Sequence, residues 1–114
     1  MRDFKRGDIV DSRFIFLDTN SDEPIDVNNA VYTICHFVGT SKIIDVVSTA
    51  LTHISTGEYL ANWTIPNNTP ENETYYVTAT AQHPVDLTTT ELEDVFRVLP
   101  ATYFSDLIVK FTKD

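Results

Sequence analysis

Hydrophobic and polar residues alternate most clearly between Gly57 and Pro66. The apolar positions of one parity are Tyr59, Ala61, Trp63 and Ile65. The residues between them are polar except Leu60, and alternate side chains of a strand point to opposite faces, so the pattern predicts a strand with one buried face. Pro66 ends the strand because proline has no N–H for a sheet. We expect a two-sheet sandwich built around this strand, with Trp63 as its largest apolar side chain.

A second amphipathic strand runs through the stretch that starts at Tyr75. Its apolar parity consists of Tyr75, Val77, Ala79 and Ala81. Threonine and glutamine occupy most of the intervening positions, which again predicts one buried face. The two small alanines near its end predict close approach of the facing sheet.

Other stretches rich in β-forming residues complete the pattern. They cover residues 4–5, 9–18, 25–27 with 30–38, 42–47 and 92–99, with an expected interruption at residues 28–29. From Ile9 to Asp18 both parities carry apolar residues, so we expect both faces to be covered in the second half. Residues 48–56 leave two interpretations open, a helix from the spacing of Ala50, Leu51 and Ile54, or a short strand. About seven strands at this spacing predict an all-β, immunoglobulin-like antiparallel sandwich over residues 1–100.

The segment 101–114 differs from the sandwich that precedes it. Phe104, Leu107, Ile108 and Phe111 fall at i, i+3, i+4 and i+7, which is one stripe of a helix. The competing interpretation is an additional strand with Leu107, Val109 and Phe111 on one face. Two roles also remain open, packing on its own domain or docking on another subunit as an assembly arm. Exposed apolar segments usually mark contact sites.

The length and the net charge of the chain exclude some classes of protein. The chain has 114 residues, which suits one domain, and its net charge is −9 from 17 acidic and 8 basic residues. Nucleic-acid binding needs clustered lysine and arginine, so we expect no nucleic-acid partner. No apolar run approaches the ~20 residues of a membrane-spanning helix, and no signal peptide is visible at the start. Cys35 is the single cysteine, so it forms no internal disulfide, and we expect a buried thiol.

One acidic stretch partly matches a calcium-binding loop. From Asp18 to Asp22, oxygen-bearing side chains recur at every second position, as in an EF-hand. The match fails afterwards, because Glu23 stands where glycine is required and Asn29 stands where a bidentate glutamate belongs. We therefore expect a plain acidic turn.

No constellation of residues predicts catalysis. The histidines, at positions 36, 53 and 83, each lack a second ligand at zinc spacing. The sequence has no nucleophile elbow and no glycine-rich phosphate loop. We expect no metal, no cofactor and no enzymatic activity.

The two clearest strands also carry a resemblance. The patterns of Gly57–Pro66 and Tyr75–Ala81 resemble immunoglobulin-like domains of bacterial surface proteins and tailed-phage virion proteins. Gly7–Asp8, the apolar strand after it and the connection from Asp18 to Asp26 resemble the opening of those domains. The single cysteine excludes the antibody type, whose core contains a disulfide and a tryptophan.

The resemblance implies a non-enzymatic structural component of a tailed-phage particle, on its head, neck or tail. Such a protein assembles in the host cytoplasm through protein–protein contacts, and we expect a homo-oligomer. Either residues 1–7 or residues 101–114 would anchor it. The expected partner contacts are Phe4, Phe104, Leu107, Ile108 and Phe111.

The alternative hypothesis is an adhesion or carbohydrate-binding module that uses the sandwich loops. The candidate residues for that role are Asn67, Asn68, Tyr76 and His83. Sugar binding by the monomer distinguishes the two hypotheses.

Overall fold

A computed structural model describes residues 1–100 of the chain, and this part contains eight strands and no helix. The strands are β1 (Arg2–Phe4), β2 (Ile9–Ile15), β3 (Asn28–Val38), β4 (Ser41–Ala50), β5 (Thr52–Ser55), β6 (Glu58–Thr64), β7 (Glu73–Gln82) and β8 (Thr89–Val98). The predicted extension at 101–114, whether helix or strand, lies outside the described residues.

The strands form two packed sheets, as predicted. One sheet has five strands in the order β1-β8-β7-β3-β4, and the other has three in the order β2-β6-β5. With β4 counted as an additional edge strand, β2, β6 and β5 correspond in order to strands B, E and D of the immunoglobulin arrangement, and β3, β7 and β8 correspond to C, F and G. The structure adds one strand to the expected number, and β1 pairs with β8 in parallel, so the sandwich is not wholly antiparallel.

The strand predicted as the centre of the fold lies in the middle of its sheet. β6 pairs with β2 on one side and with β5 on the other. Tyr59, Ala61 and Ile65 are buried, which confirms the predicted face. Trp63 is only partly buried, and its ring centroid lies 6.2 Å from those of both Tyr75 and Phe96.

The other amphipathic strand is central in the five-stranded sheet. β7 lies between β3 and β8, and its predicted apolar face is fully buried. Ala79 and Ala81 are 0% and 3% exposed, in keeping with close packing of the two sheets. The Tyr75 ring stacks on Phe96 with centroids 5.4 Å apart.

The structure corrects one expectation about the strands. In and after β2, Val10, Phe14 and Phe16 are buried, whereas Ile15 and Leu17 of the opposite parity are about half exposed. The prediction that both faces of this segment are covered is therefore wrong, because the three-stranded sheet has a second layer on one side only.

Of the two interpretations of residues 48–56, the short strand is confirmed and the helix is wrong. These residues complete β4, cross from one sheet to the other at Leu51 and form β5. Leu51 is buried, and its N–H donates a hydrogen bond of 3.0 Å to the carbonyl of Ala30. The crossing therefore places an apolar side chain in the core at the one position between the two strands.

The structure confirms two further predictions, the interruption near Asn29 and the acidic turn after β2. Asn29 has φ of 53°, and the β3–β7 register shifts between Asn28 and Val31, so the expected interruption is an irregularity inside β3. The acidic stretch after β2 is a turn, in which the N–H of Asp22 donates to the carbonyl of Asp18 over 2.7 Å.

Candidate functional site

The predicted partner-contact residues fall into two groups. Phe4 lies in β1, partly buried against the core, with its ring edge-on to Phe96 at 5.7 Å between centroids. Phe104, Leu107, Ile108 and Phe111 lie outside the described residues. Their contact with a partner stays a prediction.

The structure does not bring the four predicted carbohydrate-contact residues together. Asn67 and Asn68 lie in the β6–β7 loop, and His83 lies in the β7–β8 loop. The ten residues of β7 separate these loops by about 30 Å. Tyr76 lies on the outer face of the five-stranded sheet, opposite the buried Tyr75.

Several exposed apolar side chains lie on the β3–β4 hairpin. Five large apolar side chains there are between 42% and 76% exposed. They are Phe37, Val38, Ile43, Ile44 and Val47, which are divided between the two faces of the hairpin, and we call them the hairpin surface. Isolated exposed apolar residues are ordinary, but a cluster on one element marks an interaction site.

The hairpin surface is exposed because β4 is an edge strand with an irregular register. Between the pairs Ile34–Val46 and Cys35–Ile44, β3 advances by one residue and β4 by two, so Asp45 is the extra residue of a bulge. Val47 lies in a second register shift next to it, and it is 76% exposed. Apolar side chains that an inner strand would bury therefore face solvent.

The bulge turns Asp45 inward onto a buried histidine. Its Oδ2 lies 2.7 Å from Nδ1 of His36, and the His36 side chain is 4% exposed. The His36 ring also packs against Tyr75, with centroids 4.9 Å apart. Bulges and inward-pointing charges are features that keep an edge strand from pairing with another chain. We therefore expect a partner to contact this edge through side chains, and not by pairing a further strand with β4 through backbone hydrogen bonds.

A groove opens beside the hairpin, on the flank of the sandwich between the two sheets. It has a volume of about 490 Å³, and one wall contains Val38, Ile43 and Ile44. The opposite wall contains Trp63, Pro66, Asn68 and Pro70, and we call this cavity the flank groove. Beyond Leu60 no residue of β5 pairs with β6, so the second half of β6 is open on this side.

Hydrogen bonds hold the loop wall of the flank groove in place. The Tyr75 hydroxyl donates to the carbonyl of Pro70 over 2.8 Å, and burial, with nearby Asp45 and Glu73, raises the pKa of that phenol. Arg6 donates from Nε to the carbonyl of Thr69 over 2.7 Å. The groove is thus part of the folded structure and needs no rearrangement to exist.

The single thiol lies in β3, within the five-stranded sheet. Cys35 is 5% exposed and pairs in register with Tyr76, whose ring packs edge-on against Phe37 at 5.7 Å. Burial raises the pKa of the Cys35 thiol. The predicted buried thiol is confirmed.

Sequence reasoning missed both the hairpin surface and the flank groove. The stretch Lys42–Val47 reads as an ordinary strand, and its apolar residues resemble core residues. The available signal was the lack of alternation in that stretch, which is expected of a strand without one clean buried face. The walls of the groove come from segments distant in sequence, so no local pattern indicates them.

Within residues 1–100, no group of three or more histidine, cysteine, aspartate or glutamate side chains is arranged to hold a metal ion. The same part of the chain has no helix that is long and apolar enough to cross a bilayer. Comparison of the chain with protein-family models, curated proteins and solved structures finds no match in any of the three. Among the described residues, the features that bear on function are the hairpin surface and the flank groove of a two-sheet β-sandwich.

Proposed function

We propose that this protein is a non-enzymatic structural component that assembles with copies of itself through the hairpin surface. The observation that carries the proposal is the cluster of exposed apolar side chains on the β3–β4 hairpin. A protein interface typically has an apolar centre that leaves water on association. Val47 is the most exposed of these side chains, at 76%, and it is neither a core residue nor one of the apolar residues packed against the core.

The ionisable side chains of the sandwich support a structural role, because several are used to hold it together. Asp26 accepts a hydrogen bond from the N–H of Gly57, and Asp45 pairs with His36. Asp94 joins Ser12 of the other sheet. These groups stabilise turns, a bulge and the packing of the two sheets.

The proposed setting is a tailed-phage particle, assembled in the host cytoplasm. Its support is the resemblance of residues 57–66 and 75–81 to immunoglobulin-like domains of such particles. The carbohydrate-binding alternative has less support, since Asn68, Tyr76 and His83 lie on different parts of the sandwich. A glycan array with the monomeric protein tests that alternative.

The test of self-assembly is the solution mass of the full chain and of two matched variants, by light scattering after gel filtration. Val47→Glu places a charge on the hairpin surface, where valine is 76% exposed. Val85→Glu makes the same change in the β7–β8 loop, where valine is 81% exposed. We expect an oligomer that Val47→Glu dissociates and Val85→Glu leaves intact. A monomeric full chain, or an oligomer unaffected by Val47→Glu, contradicts the proposal.

A further inference from the structure

We propose that the flank groove receives the apolar C-terminal segment, residues 104–111, of a neighbouring copy. This inference rests on the proposed self-assembly and identifies the segment that completes the interface. Each copy would contribute one groove and one segment, an arrangement that generates rings or other closed symmetric assemblies.

The walls of the groove suit an apolar segment. Val38 and Ile43 on the hairpin face Trp63 and Pro66 across a cavity of about 490 Å³. Grooves of this kind accept apolar side chains spaced along a helix or at alternate positions of a strand. The segment satisfies both spacings, with Phe104, Leu107, Ile108 and Phe111 for a helix or Leu107, Val109 and Phe111 for a strand.

The point where the chain leaves the sandwich makes the contact geometrically accessible. Val98 pairs with Glu73, and Tyr75 pairs with His36, so the end of β8 and the end of β3 lie at the same end of the five-stranded sheet. Three inter-strand spacings, about 14 Å, separate β8 from β4. A fully extended chain as long as residues 101–114 spans at most ~45 Å, which sets the reach of the segment toward an adjacent copy.

Two observations favour a neighbouring copy as the source of the segment. Val38, Ile43 and Ile44 belong both to the hairpin surface and to the groove wall, so a copy docked on the hairpin lies beside the groove. The segment 101–114 contains two lysines and two aspartates, so the whole net charge of −9 lies on residues 1–100. A segment without net charge meets no overall repulsion from a second acidic sandwich.

The position of Trp63 provides a direct measurement, because it is the only tryptophan and it lines the groove. The double variant Leu107→Asp/Phe111→Asp removes the apolar character of the segment and changes no residue of the sandwich. Thr112→Asp adds a charge to the same segment at a polar position and serves as the control. The readouts for the full-length proteins are solution mass, Trp63 emission wavelength and acrylamide quenching, with far-UV circular dichroism to verify folding.

We expect the double variant to be folded and monomeric, with Trp63 emission at longer wavelength and stronger quenching, and Thr112→Asp to behave as the unmodified chain. A loss of mass with unchanged Trp63 emission overturns the groove as the docking site. Unchanged mass and emission overturn the whole inference. If the double variant has unchanged mass and emission but Val47→Glu dissociates the oligomer, self-assembly through the hairpin surface is supported and docking of the C-terminal segment is not.

Mixing distinguishes a neighbour's segment from the chain's own. The Trp63→Phe variant, which keeps an intact C-terminal segment, is mixed with the double variant, which keeps Trp63. All tryptophan emission then comes from grooves of chains whose own segment carries the two aspartates. Recovery of the shorter emission wavelength supports docking between copies. No recovery shows that the segment occupies the groove of its own chain, which overturns the proposal.

Discussion

The N–H of Gly57 donates a hydrogen bond to the carboxylate of Asp26, with 2.8 Å between the nitrogen and Oδ1. This contact joins the turn before β6 to the connection between β2 and β3. The carbonyl of Gly57 also accepts from the N–H of Phe16 over 2.8 Å, and the carbonyl of Phe16 accepts from the N–H of Ile25 over 3.0 Å. The two ends of the β2–β3 connection are therefore tied to the turn before β6 at one glycine.

Replacement of Gly57 is expected to be strongly destabilising. Its φ is +73°, and an added Cβ would lie 2.7 Å from the backbone nitrogen of Ile25 and 2.9 Å from the carbonyl oxygen of Phe16. We expect Gly57→Ala to lower the free energy of unfolding by about 2–4 kcal/mol, from the unfavourable φ and the backbone clash together. Urea denaturation measures the loss.

Gly39→Ala is the control, because Gly39 also has a positive φ of +64° but has no atom within 4 Å of an added Cβ. Its expected loss of unfolding free energy is about 1 kcal/mol, from backbone conformation alone. If both variants lost the same free energy of unfolding, the close approach of backbone atoms to Gly57 would contribute nothing to the destabilisation.

The Asp26 carboxylate is expected to stabilise the fold in a pH-dependent way. The hydrogen bond from the Gly57 N–H, and then the one from His53, lower the pKa of Asp26. A carboxyl group with a lowered folded pKa contributes stability above its unfolded pKa, about 3.9, and loses it as pH falls through the folded value. Asp26→Asn should therefore be less stable than the unmodified protein at pH 7, with the difference closing below about pH 4.

Urea midpoints measured between pH 7 and pH 2.5 test this dependence. Asp22→Asn, at an exposed aspartate of the preceding turn, is the matched control for the loss of one carboxylate. A pH-independent difference for Asp26→Asn would contradict the proposed cause.

A polar cluster between the sheets is expected to behave as a coupled unit. The hydroxyl of the buried Ser12 donates to Oδ2 of Asp94 over 2.7 Å, and Arg2 reaches the same oxygen at 2.6 Å. A double-mutant cycle of Ser12→Ala and Asp94→Ala should give a coupling energy of about 1 kcal/mol, because the hydrogen bond has a charged acceptor and one buried partner.

The exposed pair of Asp3 and Arg97, 3.3 Å apart, provides the comparison. Both residues are solvent-accessible, so their coupling energy is expected to stay below about 0.5 kcal/mol. Larger coupling in the exposed pair than in the Ser12–Asp94 pair would refute the assignment of the inter-sheet contact as the stronger one.

The Cys35 thiol is expected to react slowly in the native protein. It is buried beside Tyr76, and burial raises its pKa, so little thiolate is available at neutral pH. Phe37→Ala removes the ring that packs on Tyr76 and should increase the rate of labelling by a disulfide reagent. Ile54→Ala, at an exposed position in the other sheet, should leave the rate unchanged.

Local patterns in the sequence predicted the fold class and the two central strands. Alternation in residues 57–66 and 75–81 identified the buried faces of β6 and β7, since the side-chain period of a strand is two residues. The turn after Asp18 and the buried thiol were also predicted, because turn-forming residues and apolar neighbours act over short distances. The same information mispredicted the face of Ile15 and Leu17, whose exposure depends on whether a second layer covers them.

The candidate site was decided by tertiary structure alone. Whether Ile43, Ile44 and Val47 form a core or a contact surface depends on β4 being an edge strand, and strand order is a property of the whole sheet. The inward turn of Asp45 depends on a bulge that exists only when β4 pairs with β3. The sequence by itself determined most of the strand segments and the buried faces of β6 and β7, because these depend on local alternation. Only the packing of the two sheets decided which apolar residues stay in contact with water, because burial depends on neighbours that are distant along the chain.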